Sequence, residues 1–428
     1  MAIKSLHVRN FKSFARLDVS FGDFNVLVGA NASGKSNFLQ LFRFVKDIAQ
    51  YDLDNAISLQ GGVKYLRNLS LGSSEDTYIE LQTDEKLELR LRGPELYALS
   101  SAITHTLALQ FNPSGSSWKT TEDSVTAKLN FYRRGSRPRA LASSNGEQDN
   151  LVGKGDLTVA VRKRRPEITL NMEEGSSVPI NIQHLVPPYR RDIQLPRGQI
   201  LSFGSPFLYY LLSPHPAQDY LRRIGLYDFD PKLPKRAIPI TGRSELEEDA
   251  SNLALVLRTV LQDRKKKRIL SDLVTDILPF VKDIDIERFA DKSLLFKISE
   301  KYFTKKEFLP ASLISDGTIS VAALIVCLYF EPKRFILIEE PERNIHPALI
   351  SRLVGMMKEV ANFRKQIVVT THSPEIVKHA GVDCLLLLSR SPEGFSTVTK
   401  PGDNARVKTF LKEEIGVDEL YAQELLEG

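Results

Sequence analysis

Little in this chain suits it to oxidation, membrane insertion or metal capture. It has two cysteines, one tryptophan and four methionines in 428 residues. Cys327 and Cys384 both lie in apolar runs. That excludes a disulfide framework and predicts reduced thiols in a reducing compartment, the cytoplasm. The longest apolar stretch, around residues 319–330, is too short to span a bilayer, so no transmembrane helix is expected. Met1-Ala2-Ile3-Lys4 enters a strand-like alternation, with none of the apolar core of a secretion signal. His7, His105, His184, His215 and His379 show no metal-ligand spacing, so no zinc site is expected. There is no internal repeat and no sustained heptad pattern, which argues against a solenoid and against a long coiled-coil arm.

What is present is ordinary globular material, 42% hydrophobic and 26% charged. The length exceeds that at which one core stops growing, so two or three subdomains are expected. The net charge of +5 is unevenly spread. Residues 131–170 carry nine basic side chains (Arg133, Arg134, Arg137, Arg139, Lys154, Arg162, Lys163, Arg164 and Arg165) against four acidic ones. A second run, Arg264-Lys265-Lys266-Lys267-Arg268, falls in a helical pattern. Such clusters mark a polyanion surface; a solvated face is the alternative for either run.

Alternating strands open the chain (residues 3–9 and 17–21), followed by an apolar strand over 24–28, a Gly-rich turn and a helix over 36–49. Between about residues 77 and 170 the pattern becomes short period-2 segments separated by Ser, Gly and Asn-rich turns, which predicts an antiparallel β region. Residues 134–155 read as the most loop-like part of the chain. A helical period returns over 206–228 and 245–281, with Asp276-Ile277-Leu278-Pro279 as a stop. Two strands follow, then a long apolar helix to about Phe330, a strand, a helix over 347–363, a strand over 366–371 and a last strand near 384–388. The tail from 401 reads as helical and acidic.

Gly29-Ala30-Asn31-Ala32-Ser33-Gly34-Lys35-Ser36 fits G-x-x-x-x-G-K-[ST] and stands between an apolar strand and a helix. Glycines there let backbone N–H groups wrap phosphate oxygens at a helix N-terminus. Lys35 then reaches the outer phosphates and the Ser36 hydroxyl ligates Mg2+. A plain Gly turn capping a helix is the alternative. The segment FILIEEPERNIHP (residues 335–347) runs an apolar strand into Glu339, Glu340 and Glu342. Glu339 fits the metal shell, and Glu340 fits orientation and deprotonation of an attacking water. An acidic strand-end turn is the alternative, and Glu342 has no assignment.

Three further motifs carry a family resemblance. Val8-Arg9-Asn10-Phe11-Lys12-Ser13-Phe14 resembles the N-terminal signature of the SMC/RecF-type branch of ABC ATPases. Ser312-Leu313-Ile314-Ser315-Asp316-Gly317-Thr318 resembles the ABC signature loop, and Thr370-Thr371-His372-Ser373 the switch-histidine loop. The Glu-Glu-Pro-Glu and Asn-x-His-Pro wording is similar to RecF-like and OLD-type ATPases, a group that includes AbiEii-type AAA domains. Asp249-Ala250-Ser251-Asn252-Leu253 also resembles a segment of that group. Glu339 departs from the more usual Asp at the metal position.

The resemblance implies an α/β P-loop NTPase of ABC/RecF type. Its ATPase head is split, with an antiparallel β subdomain and a helical lobe inserted between Walker A and the signature motif. The expected segments are 1–75 (head, Walker A), 76–200 (β subdomain with basic loops), 201–300 (helical lobe) and 301–428 (head, signature, Walker B and switch histidine). The cofactors implied are ATP and Mg2+. Gly29, Ala30, Asn31, Ala32, Ser33, Gly34, Lys35, Ser36 and Asn37 bind nucleotide, with Asn31 towards the γ-phosphate and Lys12 towards the α-phosphate. Ser36 and Glu339 hold the metal, and Glu340 and His372 are catalytic. Ser315 and Gly317 contact the γ-phosphate bound to a second subunit, so the chain is expected to be a homodimer across two ATPs. Asn344 and His346 face that partner. Gln60 is a Q-loop candidate, with an ordinary loop glutamine as the alternative.

The first functional expectation is a DNA-associated ATPase in repair, chromosome maintenance or phage defence, with double-stranded DNA held along the basic stretch from Arg133 to Arg165. The second is a regulatory subunit of a toxin–antitoxin or abortive-infection module acting on an effector protein from a neighbouring gene. The 56 residues after His372 are too few for the nuclease domain that OLD-type chains carry, so a nuclease is expected on another chain. A transporter ATPase ranks third, since 279 residues separate Ser36 from Ser315; no membrane partner is expected.

Overall fold

The computed structural model describes residues 2–91, 96–112, 114, 117–133, 151–186, 194–195, 200–203, 221–289, 292–303, 307–363 and 365–403. The chain divides into two compact units. Residues 1–21, 36–224 and 390–398 form the first, and residues 22–35, 225–389 and 399–428 the second.

The first unit is built on an eight-stranded antiparallel sheet. Its strands follow from period-2 patterning: along Thr77–Thr83 every second side chain, from Thr77 to Thr83, is buried. The N-terminal hairpin, Ile3–Phe11 and Phe14–Ser20, joins this sheet by pairing Ile3–Phe11 with Thr77–Thr83. Beyond it lie Leu96–Phe111, Trp118–Arg133, Leu151–Arg162 and Arg165–Met172 in that order, with Glu88–Arg90 on Leu96–Phe111. The hairpin bend explains residues 8–14 of the sequence motif. Asn10 and Lys12 take left-handed backbone angles, φ 50° and 48°. The Asn10 amide is fully buried, donating to the carbonyls of Gly72 (3.2 Å) and Glu75 (2.6 Å) and accepting from the Asn68 N–H (3.0 Å). Phe11 and Phe14 pair across the hairpin in the core.

Helix Lys35–Gln50 buries Phe38, Leu41, Phe42, Val45 and Ile48 at helical spacing. Phe38 and Phe42 meet Phe21, and Phe44 meets Phe11.

The second unit is built differently. Phe335–Glu339, Gln366–Thr371, Phe24–Val28 and Leu385–Arg390 lie side by side in that order, every pairing parallel. Ile224–Tyr227 flanks Phe335–Glu339. Phe24–Val28 and Gln366–Thr371 are buried at every residue, which is why they read as unbroken apolar runs without alternation. A four-stranded sheet of Ile238–Pro239, Ser293–Glu300, Val281–Phe289 and Leu309–Pro310 shares one core with helices Leu253–Gln262, Asp316–Ile325 and Pro347–Phe363. Among the described residues Pro347–Phe363 is the longest helix at 17 residues, so none serves as a coiled-coil arm. None is long and apolar enough to cross a membrane.

Several local expectations need correction. The helical period over 206–228 ends in a strand, Ile224–Tyr227, while residues 206–220 lie outside the described residues. Leu151 to Gly155 begin a strand, not a loop. Their two glycines suit a close approach, since a Cβ on Gly155 would stand 2.7 Å from the Asn171 carbonyl. Helix Asp316–Ile325 widens into a π-helix over Val326–Phe330. A short strand, Ser396–Thr399, follows the last expected one. The acidic tail beyond residue 403 and the basic residues Arg134, Arg137 and Arg139 lie outside the described residues.

Candidate active site

Parallel strands bring their carboxyl ends to one edge of a sheet, and loops leaving those ends become neighbours whatever their separation in sequence. Register makes this concrete. Val28 pairs with Thr371, and Glu339 with Thr370. Three consecutive strands therefore deliver residues 29–35, Glu339-Glu340 and His372 to one edge.

The glycine-rich loop is shaped by crowding. A Cβ on Gly29 would lie 2.3 Å from the Leu388 carbonyl oxygen and 2.7 Å from Ser33 Oγ, so only glycine fits there. Gly34 has φ 120°, and Ala32 is left-handed at φ 63°, a conformation costing an alanine about 1 kcal/mol. Ala30, Asn31 and Ala32 are exposed, while Ser33 and Gly34 are buried. Lys35 curls back over the loop, its Nζ donating to the carbonyls of Gly29 (2.7 Å) and Ala30 (3.0 Å). Burial holds the Lys35 ammonium below its ordinary pKa, offset in part by the charges of Glu340, Glu339 and Glu342.

The carboxylates divide by environment. Glu339 is half-buried; burial pushes its carboxyl up and the neighbouring charge of Asp228 adds to the push. Glu340 is left-handed, φ 42°. Its Oε1 lies 2.8 Å from His372 Nδ1 and its Oε2 accepts from Arg343 at 3.1 Å. Burial alone would raise its carboxyl, but the hydrogen bonds from Arg343 and His372 and their charges hold it below the usual range. Arg343 in turn donates to Asp228 Oδ1 at 2.9 Å. Glu342 gains a place in the site: it accepts from the Thr371 hydroxyl, which itself accepts from the Ser373 N–H at 2.9 Å. It thereby ties the loop after Phe335–Glu339 to the loop that carries His372. Burial pushes the Glu342 carboxyl up.

The signature loop lies in the same unit. Ser315 caps helix Asp316–Ile325, accepting from the Thr318 N–H at 3.2 Å. Asp316 pairs with Lys235 at 2.5 Å. A Cβ on Gly317 would meet the Asn344 carbonyl at 2.5 Å, so signature loop and carboxylate loop touch through backbone. Asn344 is exposed and left-handed at φ 65°. His346 Nδ1 accepts from the Ala348 N–H at 3.2 Å, capping helix Pro347–Phe363.

The family model described as "AAA domain, putative AbiEii toxin, Type IV TA system" matches residues 24–378. The chain belongs to this AAA-domain family. No curated protein matches it. Similar solved structures include an SMC head bound to the C-winged helix domain of ScpA (15% identity, 93% of this chain and 98% of that one, TM-score 0.47). Two others are the SMC head domain from Thermotoga maritima (14%, 94% and 99%, 0.41) and an Smc head domain with an extended coiled coil bound to the C-terminal domain of ScpA, derived from Pyrococcus furiosus (14%, 96% and 99%, 0.43).

Lys12, Ser36 and Asn37 fall in the first unit of the chain. Ser36 is exposed in the first turn of the helix that begins at Lys35. Lys12 and Asn37 line one cleft of about 360 Å³ together with Ser13, Arg67 and Arg390, and among the described residues no carboxylate lines it. Asn37 Nδ2 donates to Ser13 Oγ at 2.8 Å. Burial lowers the Lys12 pKa. Gln60 closes helix Leu53–Leu59, and both polar atoms of its side chain are buried with no hydrogen-bond partner among the described residues. Among the described residues no group of three or more His, Cys, Asp and Glu side chains is arranged to hold a metal. At this edge the Glu339 carboxylate is an oxygen donor of the kind Mg2+ takes, and a nucleotide's phosphates would have to complete the shell. A cation there would relieve the repulsion around Glu339.

Arg343 and Asp228 were missed by sequence reasoning. Arg343 had a local signal, three residues after Glu340. Asp228 had none, because a pairing 115 residues apart is created by strand order alone.

Proposed function

We propose that this AAA domain binds ATP with Mg2+ and hydrolyses it. The observation that carries the reading is the meeting of Lys35, Glu339, Glu340 and His372 at the ends of three adjacent parallel strands. The backbone N–H groups of residues 29–35 and the Lys35 ammonium bind phosphate oxygens. Glu339 would help to hold Mg2+, which when bound would neutralise charge developing on the phosphates. Glu340, kept ionised by its neighbours, accepts a proton from the attacking water, and His372 orients that carboxylate from its other oxygen. In this reading Ser315 and Gly317, at the start of a ten-residue helix, contact the γ-phosphate bound to a second subunit. ATP then acts as the bridge of a homodimer, and hydrolysis removes the bridging contacts.

The test is Glu340→Gln. Turnover should fall by at least about 100-fold, as for loss of a general base, while binding of a fluorescent ATP analogue and ATP-dependent dimerisation persist. Wild-type turnover in this variant would rule out the assignment.

For the regulated partner, one reading is double-stranded DNA. Its support is the hairpin tip joining Leu151–Arg162 to Arg165–Met172, where Arg162, Lys163, Arg164 and Arg165 are all exposed. DNA affinity that falls steeply with salt would uphold it, because phosphate contacts release counterions. The second reading, an effector protein of a toxin–antitoxin module, is favoured by the description of the matching family. Co-purification with the product of an adjacent gene tests it.

A further inference from the structure

Arg343 has no part in the proposed reaction so far, yet it is the most densely engaged charge at the site. Its guanidinium donates to Glu340 Oε2 from two nitrogens (3.1 and 3.4 Å) and to Asp228 Oδ1 from the third (2.9 Å). Asp228 directly follows the strand Ile224–Tyr227, which neighbours the strand that ends at Glu339. The side chain thus spans two strand ends, and the backbone closes the same loop through the Arg343 N–H and the Glu340 carbonyl (3.0 Å).

We propose that Arg343, anchored by Asp228, is a positioning residue that aims the Glu340 carboxylate at the attacking water; this rests on the hydrolysis reading above. Three observations carry it. Glu340 occupies a left-handed backbone conformation (φ 42°), unfavourable for a residue with a Cβ, so its side chain leaves the strand end in a direction that packing alone would not choose. Each of its oxygens is held by a different group, His372 on one and Arg343 on the other. A planar fork can hold two carboxylates in one fixed geometry, which an ammonium cannot. A purely structural ion pair accounts poorly for this arrangement. Arg343 and Asp228 are 44% and 55% exposed, and ion pairs that open to water add little to stability.

Misplacing a catalytic group by about 1 Å costs on the order of 100-fold in rate. Arg343→Ala should therefore lower kcat by roughly 10- to 100-fold while KM for ATP and binding of a fluorescent ATP analogue stay within about twofold. Asp228→Asn, the same shape without the charge, should lower kcat several-fold. The double variant should be no slower than Arg343→Ala, because Asp228 acts through the guanidinium. Arg343→Lys should restore only part of the loss. Thermal unfolding of each variant checks that the fold is intact. A wild-type kcat in Arg343→Ala, a rise in KM at unchanged kcat, or additive losses in the double variant would each overturn the proposal. Glu340→Gln is assayed alongside. If it is inactive while Arg343→Ala turns over normally, only the positioning role falls; if it retains turnover, the hydrolysis reading and this inference fall together.

Discussion

The antiparallel sheet and the carboxyl edge of the parallel sheet use polar side chains in opposite ways. In the antiparallel sheet of the first unit, buried polar side chains bond to main chain. Asn10 holds three backbone groups of residues 68–75. Asp123 accepts the N–H groups of Leu201 and Ser202, both at 2.7 Å, and His105 Nδ1 donates to the Ser202 carbonyl while its ring stacks on Phe203. These groups tie a passing segment to the sheet. At the carboxyl edge of the parallel sheet, charged side chains bond to one another across loops distant in sequence: Glu340 with His372 and Arg343, Arg343 with Asp228. Side chains spent on backbone fix the chain. Side chains held against each other, half open to solvent, stay accessible to a ligand. Glu331 shows that the distinction follows location and not unit, for it is buried in the second unit and accepts from the Leu246 N–H at 2.8 Å.

The sharpest way to break this contrast is at Gly29. An alanine there would drive its Cβ into the Leu388 carbonyl, which belongs to the central sheet and cannot retreat. Gly29→Ala should abolish ATP binding, a loss of at least about 100-fold in affinity, since the N–H cradle depends on that backbone path; isothermal titration with ATP and Mg2+ measures it. Asp123→Ala makes the complementary case. It leaves two buried N–H groups unpaired, at about 1–3 kcal/mol each, so chemical denaturation should show a loss of about 3 kcal/mol. Turnover per folded molecule should be unchanged. A kcat that fell with Asp123→Ala would mean that the antiparallel sheet contributes to the site after all.

The same contrast explains what could be read from the sequence. The glycine-rich loop is legible because its shape is local: eight consecutive residues carry the bend, its backbone N–H groups and the Lys35 cation. Glu339, Glu340 and His372 are legible because each follows an apolar run that announces a buried strand. Arg343 with Asp228 and Glu342 with Thr371 are not, since those meetings depend on which strands neighbour each other and in what register. The strand Ile224–Tyr227 was hidden for a related reason. Four residues are too few to show a period, and the preceding residues carry a helical one. Residues 8–14 were legible as a family signature but not in their physics: the structure gives Asn10 a buried hydrogen-bonding task and gives Phe11 and Phe14 a place in the core. The basic run Arg264 to Arg268 is exposed, in the first turns of helix Arg264–Ile277 behind its Asp263 cap, an exposure that a polyanion surface and a solvated face both require.

A smaller effect isolates the backbone-binding kind of polarity by pH. His105 is wholly buried, and burial lowers its pKa from the ordinary 6.5 to about 4, its bond to the Ser202 carbonyl offsetting only part of the fall. At pH 7 the ring is neutral in both folded and unfolded chains, so its contribution is intact. Between pH 6.5 and 4 the unfolded chain takes up a proton that the folded chain refuses, and stability falls as pH falls. A gap of that size corresponds to about 3 kcal/mol at the bottom of the window. Asp123, whose carboxyl is pushed up by burial, works in the opposite sense. Wild type and His105→Phe therefore need to be compared directly. The phenyl ring keeps the stacking on Phe203 but cannot titrate, so this variant should start less stable at pH 7 and lose less on acidification. Denaturant midpoints measured between pH 7 and 4 test this; parallel curves for the two proteins would place the acid sensitivity elsewhere in the sheet.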